Sequence, residues 1–350
     1  MPHFNLDCHI LELSLKQPFT TARDTKETVR NVLVRLVGDG IEGLGEAAPN
    51  IRYGEDVEGV IRFIEFLPGG FFDKIRSPFQ VSTRLDQAAQ RYRSECSDPA
   101  PRAALAALEM AWLDWWARMQ DQPLWQLWDA PSARGPVTSF TIGLDEVEVM
   151  QQKVKAAEAY PVLKVKLGTG RDREIIRAIR EVTGKPIRVD ANEGWKTLED
   201  AKRAVDFLAE QNIELVEQPM PAERFNRMVE LKKWSPLPFV ADESFTGNED
   251  LAAVAEAFDV VNIKLMKNGS LVKGRRTVDE AKRLGLEVMI GCMIESSLAN
   301  TAGAVLSLFA DYADLDGHLL IADDPFRGLR LDERKRITLD KRPGLGAVEN

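Results

Sequence analysis

Five short apolar runs, each ending on a charged residue, recur through the middle of this chain: LKVK (163–166), IRVD (187–190), ELVE (214–217), FVAD (239–242) and VNIK (261–264). Their last residues, at positions 166, 190, 217, 242 and 264, are separated by 24, 27, 25 and 22 positions. This interval fits one strand of a parallel sheet followed by its return helix. In a parallel α/β barrel the active site lies at the carboxyl ends of the strands. We therefore expect the five terminal residues to meet at one end of a barrel.

The same alternation of strand and helix covers most of the second part of the chain. Strand-like runs are predicted at about 137–142, 162–167, 186–190, 213–217, 238–241, 260–265, 287–290 and 314–321. Helical stretches between them are predicted at 171–182, 198–210, 249–257, 271–284 and 297–309. Seven or eight such units favour a parallel barrel over an open doubly wound sheet. The only candidate for a nucleotide-binding glycine loop, Gly43-Leu44-Gly45, lies in a β-hairpin context, and we interpret it as a turn.

The first part of the chain has a different pattern. Residues 4–15 and 29–37 alternate like strands, and the polar segment 17–28 between them is predicted to be an exposed loop. Residues 54–120 are predicted to be helical, with Asp98 and Pro99 starting the last helix. Strands followed by helices predict a compact α+β domain that ends near residue 125.

Composition and charge limit the class of protein. The chain has 350 residues, of which 44% are hydrophobic and 29% charged, as in soluble globular proteins. A formal charge of −9 disfavours nucleic acid or an anionic membrane as a partner. The N-terminus has no signal-peptide pattern and no apolar run is long enough to cross a membrane. Three cysteines without a CxxC pair predict reduced thiols and a cytoplasmic location.

Three of the terminal residues are acids on successive strands: Asp190, Glu217 and Asp242. A single acid at this place would most simply interact with the dipole of the following helix. Three carboxylates side by side cannot all stay ionised without a cation to neutralise them. Because no histidine or cysteine lies near them in the sequence, the oxygen ligands favour Mg²⁺ or Mn²⁺ over zinc.

The flanking lysines are candidate acid/base groups. Lys164 and Lys166 share one face of their strand, and the apolar residues around them predict that this face points into the barrel. Lys264 lies four strands later, nearly across the barrel from Lys166. Two such lysines can remove a proton from one face of a carbon and return it to the other, provided that their pKa values are lowered. Lys267 is the second candidate for the role of Lys264, and we expect it at the strand end or exposed.

The motifs LKVKLG, RVDANEGW, VEQP, ADES and NIKLMKNGS, in this order, resemble the enolase superfamily in its muconate-lactonizing-enzyme subgroup. The resemblance extends nearly from end to end. It implies an α/β fold with an α+β capping domain at 1–125, a (β/α)₇β modified TIM barrel at 126–322, and a C-terminal segment at 323–350 that returns to the cap. It also implies that Asp190, Glu217 and Asp242 bind Mg²⁺, that Lys166 and Lys264 exchange protons, and that Lys164 neutralises the enolate. We further expect a homo-oligomer.

Residues near the last strands indicate the kind of substrate. Dipeptide epimerases of this subgroup carry a DxD motif near the end of the last strand, and Asp314-Leu315-Asp316 lies there. Two acids can bind the free α-ammonium of a dipeptide by charge-assisted hydrogen bonds, although turn-forming acids are also common at such a position. Cys292 and Ile294, in MIGCMIESS, match the segment that lines the substrate pocket. Cys292 is expected to be a pocket wall, because no histidine partner is apparent.

The segment between the first two strands is expected to recognise the side chain of the reacting residue. By the resemblance, Arg23 matches a loop arginine that recognises glutamate in Ala-Glu substrates, whereas the neighbouring Asp24 and Glu27 favour a cationic side chain. Thr141, on the first barrel strand, is a further candidate for contact with the peptide.

The function expected from the resemblance is Mg²⁺-dependent epimerisation of a dipeptide, L-Ala-D/L-Glu, at the α carbon of its C-terminal residue, in murein peptide turnover. The first alternative is an N-acylamino acid racemase or o-succinylbenzoate synthase, which shares the core but needs no ammonium-binding acids. A second is an epimerase for cationic or hydrophobic dipeptides. The third is a barrel that kept the fold and lost the chemistry, and the complete core of two lysines and three acids argues against it.

Overall fold

The N-terminal domain of the computed structural model, which describes residues 2–350, is an antiparallel sheet covered by helices. Its three strands pair in chain order: β1 (Asn5–Thr20), β2 (Thr25–Gly38) and β3 (Ile41–Ala47). Its helices are α1 (Val57–Phe66), α2 (Pro78–Cys96), α3 (Arg102–Met119) and α4 (Leu124–Leu127). This is the α+β domain that the sequence predicts.

The bounds of a loop and of a helix in this domain differ from the prediction. The loop predicted at 17–28 is mostly strand, because pairing resumes at Phe19–Lys26 and Thr20–Thr25 beyond an irregularity after Ser14, leaving only 21–24 as the connection. Helix α3 begins at Arg102 rather than after Asp98. The carboxylate of Glu55 accepts hydrogen bonds from the backbone N–H groups of Arg102 (2.6 Å) and Ala103 (3.2 Å), so a residue distant in sequence caps this helix.

The second part of the chain is a closed parallel barrel. After β4 (Arg134–Val137), which lies outside it, the barrel strands are β5 (Phe140–Ile142), β6 (Leu163–Lys166), β7 (Ile187–Asp190), β8 (Ile213–Glu217), β9 (Phe239–Ala241), β10 (Val260–Lys264), β11 (Glu287–Gly291) and β12 (Tyr312–Asp314). They pair in chain order, and a bridge between Thr138 and Ala313 joins the two ends. The predicted α/β barrel with an α+β domain is therefore confirmed.

The barrel helices lie between the strands as the alternation predicts. They are α5 (Val147–Ala156), α6 (Asp172–Val182), α7 (Leu198–Ala209), α8 (Phe225–Trp234), α9 (Leu251–Ala257), α10 (Leu265–Asn268), α11 (Leu271–Arg283) and α12 (Ser297–Ser307). Strands β6, β7, β9 and β10 are buried along their whole length, so the charged residues of β6 and β7 are buried together with the apolar ones. Among residues 2–350, no helix combines the length and the apolar character that crossing a membrane requires.

The last barrel strand is shorter and earlier than predicted. Instead of a strand at 314–321, β12 ends at Asp314 and a short 3₁₀ helix follows at Gly317–Leu320. The backbone N–H of Leu315 donates to the hydroxyl of Thr138, and that of Leu319 donates to the carbonyl of Asp316. Because these two N–H groups donate to a side chain and to a local turn, they do not pair with a neighbouring strand, and β12 is not extended.

The C-terminal segment joins the two domains. It contains β13 (Phe326–Arg327), β14 (Arg330–Leu331), β15 (Arg336–Thr338) and β16 (Val348–Glu349); β13 pairs with β16, and β15 pairs with β14 and β4. The buried carboxylate of Asp114 on α3 accepts hydrogen bonds from the backbone N–H groups of Leu345 (2.7 Å) and Leu44 (3.0 Å). The segment thus contacts the N-terminal domain, while domain limits at residues 125 and 322 stay a prediction.

Buried glutamates of the N-terminal domain contact two barrel helices at their N-termini. Glu109 accepts hydrogen bonds from the Ser270 hydroxyl (2.7 Å) and the Val272 N–H (3.0 Å), where α11 begins. Glu46 accepts from the Ser296 N–H (3.0 Å), where α12 begins. Because a helix N-terminus carries unpaired N–H groups and positive partial charge, these contacts fix how the domain sits on the barrel.

Gly43 and Gly45 are not turn residues, contrary to the prediction. Both lie inside β3, where the sheet packs directly on the backbone of α3. A Cβ at Gly45 would overlap the carbonyl oxygen of Ala107, and one at Gly43 would overlap that of Ala111. The glycines therefore allow close approach of a sheet and a helix rather than a reversal of the chain.

Gly45→Ala is expected to destabilise the protein by about 1–3 kcal/mol or more, because the added methyl group must push β3 away from α3. The matched control is Gly69→Ala, where a Cβ would meet no atom within 4 Å. Denaturant unfolding of the two variants measures the difference. Equal unfolding midpoints would contradict the packing argument.

Candidate active site

The three predicted acids meet at the carboxyl end of the barrel strands. Asp190 and Glu217 are the last residues of β7 and β8, and Asp242 directly follows β9. Their exposed fractions are 0%, 1% and 2%. One carboxylate oxygen of each lies within 4.8 Å of the others. The barrel therefore brings together a buried cluster of oxygen ligands.

Two lysines reach this cluster from opposite sides. The ammonium of Lys166, on β6, donates to Asp190 Oδ2 (2.7 Å), and that of Lys264, on β10, donates to Asp242 Oδ2 (2.9 Å). In the eight-stranded sheet β6 and β10 are four strands apart, which places them across the barrel from each other. A carbon held between them would present one face to each lysine.

Lys164 lies deeper in the barrel than Lys166. Its Nζ is 2.7 Å from Glu217 Oε2, 3.0 Å from Asp190 Oδ2 and 2.6 Å from Asp314 Oδ2. Burial alone would lower the pKa of Lys164, but these three carboxylates outweigh it and raise the pKa well above its ordinary value. Lys164 is therefore a fixed positive charge that links the acid cluster to the last strand.

Lys267, which the prediction placed at the strand end or exposed, is buried just beyond the end of β10. It lies on α10, is 2% exposed, and its ammonium donates to the carboxylate and the carbonyl oxygen of Asp242 and to the carbonyl oxygen of Phe245. The chain turns into α10 directly after Lys264, and this turn points Lys267 back under the acid cluster. Its contacts make it a support for Asp242 rather than an alternative to Lys264.

The electrostatics of the acids fit a divalent cation. Burial raises the pKa of Glu217 to about 7, with Asp190 adding to the effect. Burial acts in the same direction on Asp190, but Lys166 and Lys164 outweigh it and hold the pKa well below its ordinary value. The Oε2 atom of Glu217 lies 2.7 Å from the ammonium of Lys164, with which it forms an ion pair. A cluster of three buried carboxylates that offers only oxygen ligands suits Mg²⁺.

The protein's own charges do not lower the pKa of Lys264. Burial would lower this pKa, but the negative charges of Asp242 and Glu217 outweigh it and raise the pKa well above its ordinary value. The amine form of Lys264 therefore becomes accessible only when other positive charge offsets these carboxylates.

Two amide side chains that the sequence analysis missed hold the acids in place. The Oε1 atom of Gln218 accepts from the backbone N–H groups of Asp242 and Ser244, both at 3.0 Å. The amide nitrogen of Asn262 donates to Glu217 Oε1 (2.9 Å). Asn262 could have been predicted, because it lies two residues before Lys264 and strand alternation places both on the inner face.

The structure places Asp314 and Asp316 in different environments. Asp314 is occupied by Lys164 and by the hydroxyl of Ser139 (2.6 Å), a residue that the sequence analysis missed. Asp316 accepts one hydrogen bond from the backbone N–H of Thr141 (2.6 Å). Burial and the charge of Asp314 raise the pKa of Asp316 to about 6. Of the two acids, Asp316 has more capacity for a further cationic partner.

A cavity of about 760 Å³ opens above the acid cluster. Every predicted site residue except Asp190 and Glu217 lines it: Arg23, Thr141, Lys164, Lys166, Asp242, Lys264, Cys292, Ile294, Asp314 and Asp316. Burial, together with Glu295, raises the pKa of the Cys292 thiol well above its ordinary value. A neutral thiol is a poor nucleophile, which agrees with a role for Cys292 as a pocket wall.

Arg23 lies at the mouth of this cavity, in the connection between β1 and β2. Its Nη2 donates to Glu193 Oε2 (3.1 Å) and also contacts Glu243. The side chain is 34% exposed. The structure thus gives the predicted substrate-binding arginine two protein partners, neither of which the sequence analysis identified.

Family comparisons cover almost the whole chain. Residues 7–128 match the mandelate racemase / muconate lactonizing enzyme N-terminal domain, and residues 147–349 match the enolase C-terminal domain-like family. The chain belongs to the enolase superfamily. This confirms the resemblance that the sequence motifs indicate.

Individual members of the superfamily show the same likeness. The L-Ala-D/L-Glu epimerase of Bacteroides thetaiotaomicron is 38% identical over 97% of this chain and 86% of its own length. The substrate-liganded L-Ala-D/L-Glu epimerase of Bacillus subtilis superposes with a TM-score of 0.89 at 27% identity, covering 100% of this chain and 99% of its own. A dipeptide epimerase of Enterococcus faecalis, complexed with Mg and L-Leu-L-Tyr, gives 0.88 at 30% identity, with 99% of each chain covered.

Asp190→Asn, Glu217→Gln and Asp242→Asn are each expected to weaken binding of Mg²⁺ or Mn²⁺ by more than about tenfold, because each removes an anionic oxygen. Calorimetric titration with the metal alone measures the loss. Asp316→Asn is the control, since this acid lines the same cavity outside the cluster. Unchanged affinity in all three acid variants would exclude the cluster as the metal site.

Proposed function

We propose that this enolase superfamily member is a Mg²⁺-dependent dipeptide epimerase that inverts the α carbon of the C-terminal residue, with L-Ala-D/L-Glu as substrate. The observation that carries the proposal is the pair of lysines on opposite sides of one buried acid cluster. Inversion by a two-base mechanism needs a base on one face of the carbon and an acid on the other, and this pair of lysines offers one group for each face. The dipeptide epimerases similar to this chain support the choice of reaction.

In the proposed reaction, Lys166 and Lys264 act as the two proton-transfer groups. One lysine, as the free amine, takes the α proton from the face that it contacts. The other, as ammonium, gives a proton to the opposite face, and the C–H bond re-forms with inverted configuration. When bound by Asp190, Glu217 and Asp242, Mg²⁺ supplies the positive charge that stabilises the negative charge developing on the substrate.

The remaining charges support this pair. Lys164 stays protonated between the acid cluster and Asp314, so it adds a fixed positive charge next to the reacting carbon. Lys267 and Gln218 hold Asp242 from below, through its carboxylate and its backbone N–H. Because these groups are buried and paired, they need little reorganisation when charge develops.

Recognition of a free dipeptide is assigned to the segment that directly follows the last strand. We propose that Asp316 binds the α-ammonium group, with Asp314 held by Lys164 and Ser139 as the neighbouring negative charge. The negative charge of the nearby Asp314 helps to raise the pKa of Asp316. A substrate cation bound at Asp316 would offset this repulsion between the two acids. N-acyl substrates carry no such cation.

A substrate glutamate is assigned to Arg23. Within residues 2–350, the guanidinium of Arg23 donates its hydrogen bonds through Nη2 alone. The N–H groups of Nε and Nη1 therefore remain for a substrate carboxylate. The neighbouring Asp24 accepts a hydrogen bond from the Thr21 hydroxyl (3.1 Å). We further propose a cytoplasmic role in the turnover of murein peptides. Mn²⁺ as an alternative metal and a homo-oligomeric state stay predictions.

Lys166→Ala and Lys264→Ala are each expected to abolish epimerisation of L-Ala-L-Glu while the protein stays folded. Each single variant should still exchange the α proton with D₂O for the one enantiomer that faces its remaining lysine. Mass spectrometry of L-Ala-L-Glu and L-Ala-D-Glu incubated in D₂O with Mg²⁺ measures both enantiomers separately. If both variants exchange both enantiomers at the rate of the unmodified protein, these lysines are not the proton-transfer groups.

N-acetylation of the dipeptide is expected to lower kcat/KM by roughly 30-fold or more, because it removes a cation and leaves Asp316 without its partner, a loss of about 2–5 kcal/mol. Asp316→Asn should lower kcat/KM for the free dipeptide without changing the affinity for Mg²⁺. Steady-state kinetics on free and N-acylated substrates make the comparison. Faster turnover of N-succinyl amino acids than of any dipeptide would favour the racemase or synthase alternative.

A further inference from the structure

Glu193, in the barrel loop after β7, binds two arginines of the capping domain at once. Its Oε1 accepts from Arg52 Nη2 (2.9 Å), and its Oε2 accepts from Arg52 Nε (3.1 Å) and from Arg23 Nη2 (3.1 Å). The backbone N–H of Ala222 also donates to Oε1 (3.0 Å). The side chain is 8% exposed, so this carboxylate is shielded and both of its oxygens are occupied.

The two arginines come from separate segments of the capping domain. Arg23 lies in the 21–24 connection between β1 and β2, and Arg52 lies in a short 3₁₀ helix, Ile51–Tyr53, after β3. Both line the cavity above the acid cluster. Arg52 binds Glu193 in a two-point, side-on arrangement that fixes direction as well as distance. One barrel carboxylate therefore ties both segments to the mouth of the site.

The barrel holds Glu193 in an unusual backbone conformation. Its φ is 65° and that of Asn192 is 43°, a left-handed region that side chains other than asparagine, aspartate and glycine rarely adopt. The N–H of Glu193 donates to the carbonyl of Gln218 (2.9 Å), and Lys196 donates to the carbonyl of Glu193 (2.6 Å). The same segment carries Asp190, so the position of the carboxylate is set by the strand end that holds the acid cluster.

We propose that Glu193 is a positioning residue for substrate binding: it holds Arg52 and Arg23 at the barrel mouth and so determines where Arg23 meets the substrate side chain. The proposal rests on the proposed function for the identity of that side chain. The holding of the two segments itself does not depend on which substrate is used. Glu193 contacts neither proton-transfer lysine by a hydrogen bond or ion pair, so its effect is on binding rather than on chemistry.

Neighbouring acids cannot fully replace Glu193. Arg23 also contacts Glu243, which would keep part of its position. The other acid near Arg52 is Glu223, at 3.8 Å and 75% exposed, where an ion pair contributes little. Loss of the Glu193 charge should therefore release the 51–53 segment more than the 21–24 connection.

The test compares Glu193→Gln with Glu223→Gln, a matched removal of one carboxylate charge near the same arginine. Two readouts are used: hydrogen–deuterium exchange of the segments 19–25 and 49–54, and steady-state kinetics on L-Ala-L-Glu. For Glu193→Gln we expect exchange in 49–54 to be at least about fivefold faster and KM at least about tenfold higher, with kcat within about twofold. Glu223→Gln should change neither readout by more than about twofold.

The outcomes separate the two proposals. Unchanged exchange in both segments of Glu193→Gln overturns the positioning role, and so does a fall in kcat at constant KM, which would indicate an effect on the acid cluster through Asp190. Faster exchange in a protein that epimerises no dipeptide supports the positioning role and refutes the proposed function. If Glu193→Gln does not fold, Arg52→Met removes the same ion pair through its more exposed partner. Hydrogen–deuterium exchange in 49–54 at the rate of the unmodified protein would then overturn the proposal.

Discussion

Charge compensation among carboxylates that the barrel buries side by side is the constraint on which the rest of the site depends. Burying an ion is costly unless it is paired and hydrogen-bonded. Four lysines supply the pairing, three of them on barrel strands and the last on the short helix α10: Lys164, Lys166, Lys264 and Lys267. The outer faces of the same strands must pack against helices, which is why apolar residues such as Val165, Val189 and Ile263 alternate with the charged or polar residues that face inward. The sequence pattern and the chemistry thus have one physical origin.

This common origin explains why so much could be predicted. Asp190, Glu217 and Lys264 are terminal residues of their strands, and in a parallel barrel all such ends converge. Spacing along the chain therefore predicts proximity in space, and strand alternation predicts that Lys164 faces inward. Prediction from strand spacing and alternation fails where a residue does not lie on a barrel strand, or where a strand has an unusually polar sequence. Lys267 lies on a short helix rather than on a strand, and segment 17–28 is the paired end of the β1–β2 hairpin, whose polar side chains have the composition of a loop.

Other parts of the site leave no local pattern in the sequence. Glu193 and Arg52 are 141 positions apart, and Ser139 and Asp314 are 175 positions apart. The first pair forms where the capping domain meets the barrel, and the second forms where the first and last barrel strands close the sheet. Period-two and period-3.6 patterns describe neighbours on one element, so they carry no information on such partners. Glu55 at the start of α3 is the same case within one domain, and the predicted cap at Asp98 was wrong for that reason.

The division between local and long-range contacts matches a division between chemistry and specificity. Proton transfer and metal binding are assigned to strand ends, whose positions the barrel fixes by itself. The side chain of the substrate is assigned to Arg23, whose position depends on two capping-domain segments and on Glu193. The E. faecalis epimerase, with the same fold at 30% identity, was crystallised with L-Leu-L-Tyr. A change of substrate therefore does not require a change of fold. It follows that the preferred dipeptide of this protein must be sought in the contacts between cap and barrel, because the acid and lysine core is compatible with many side chains.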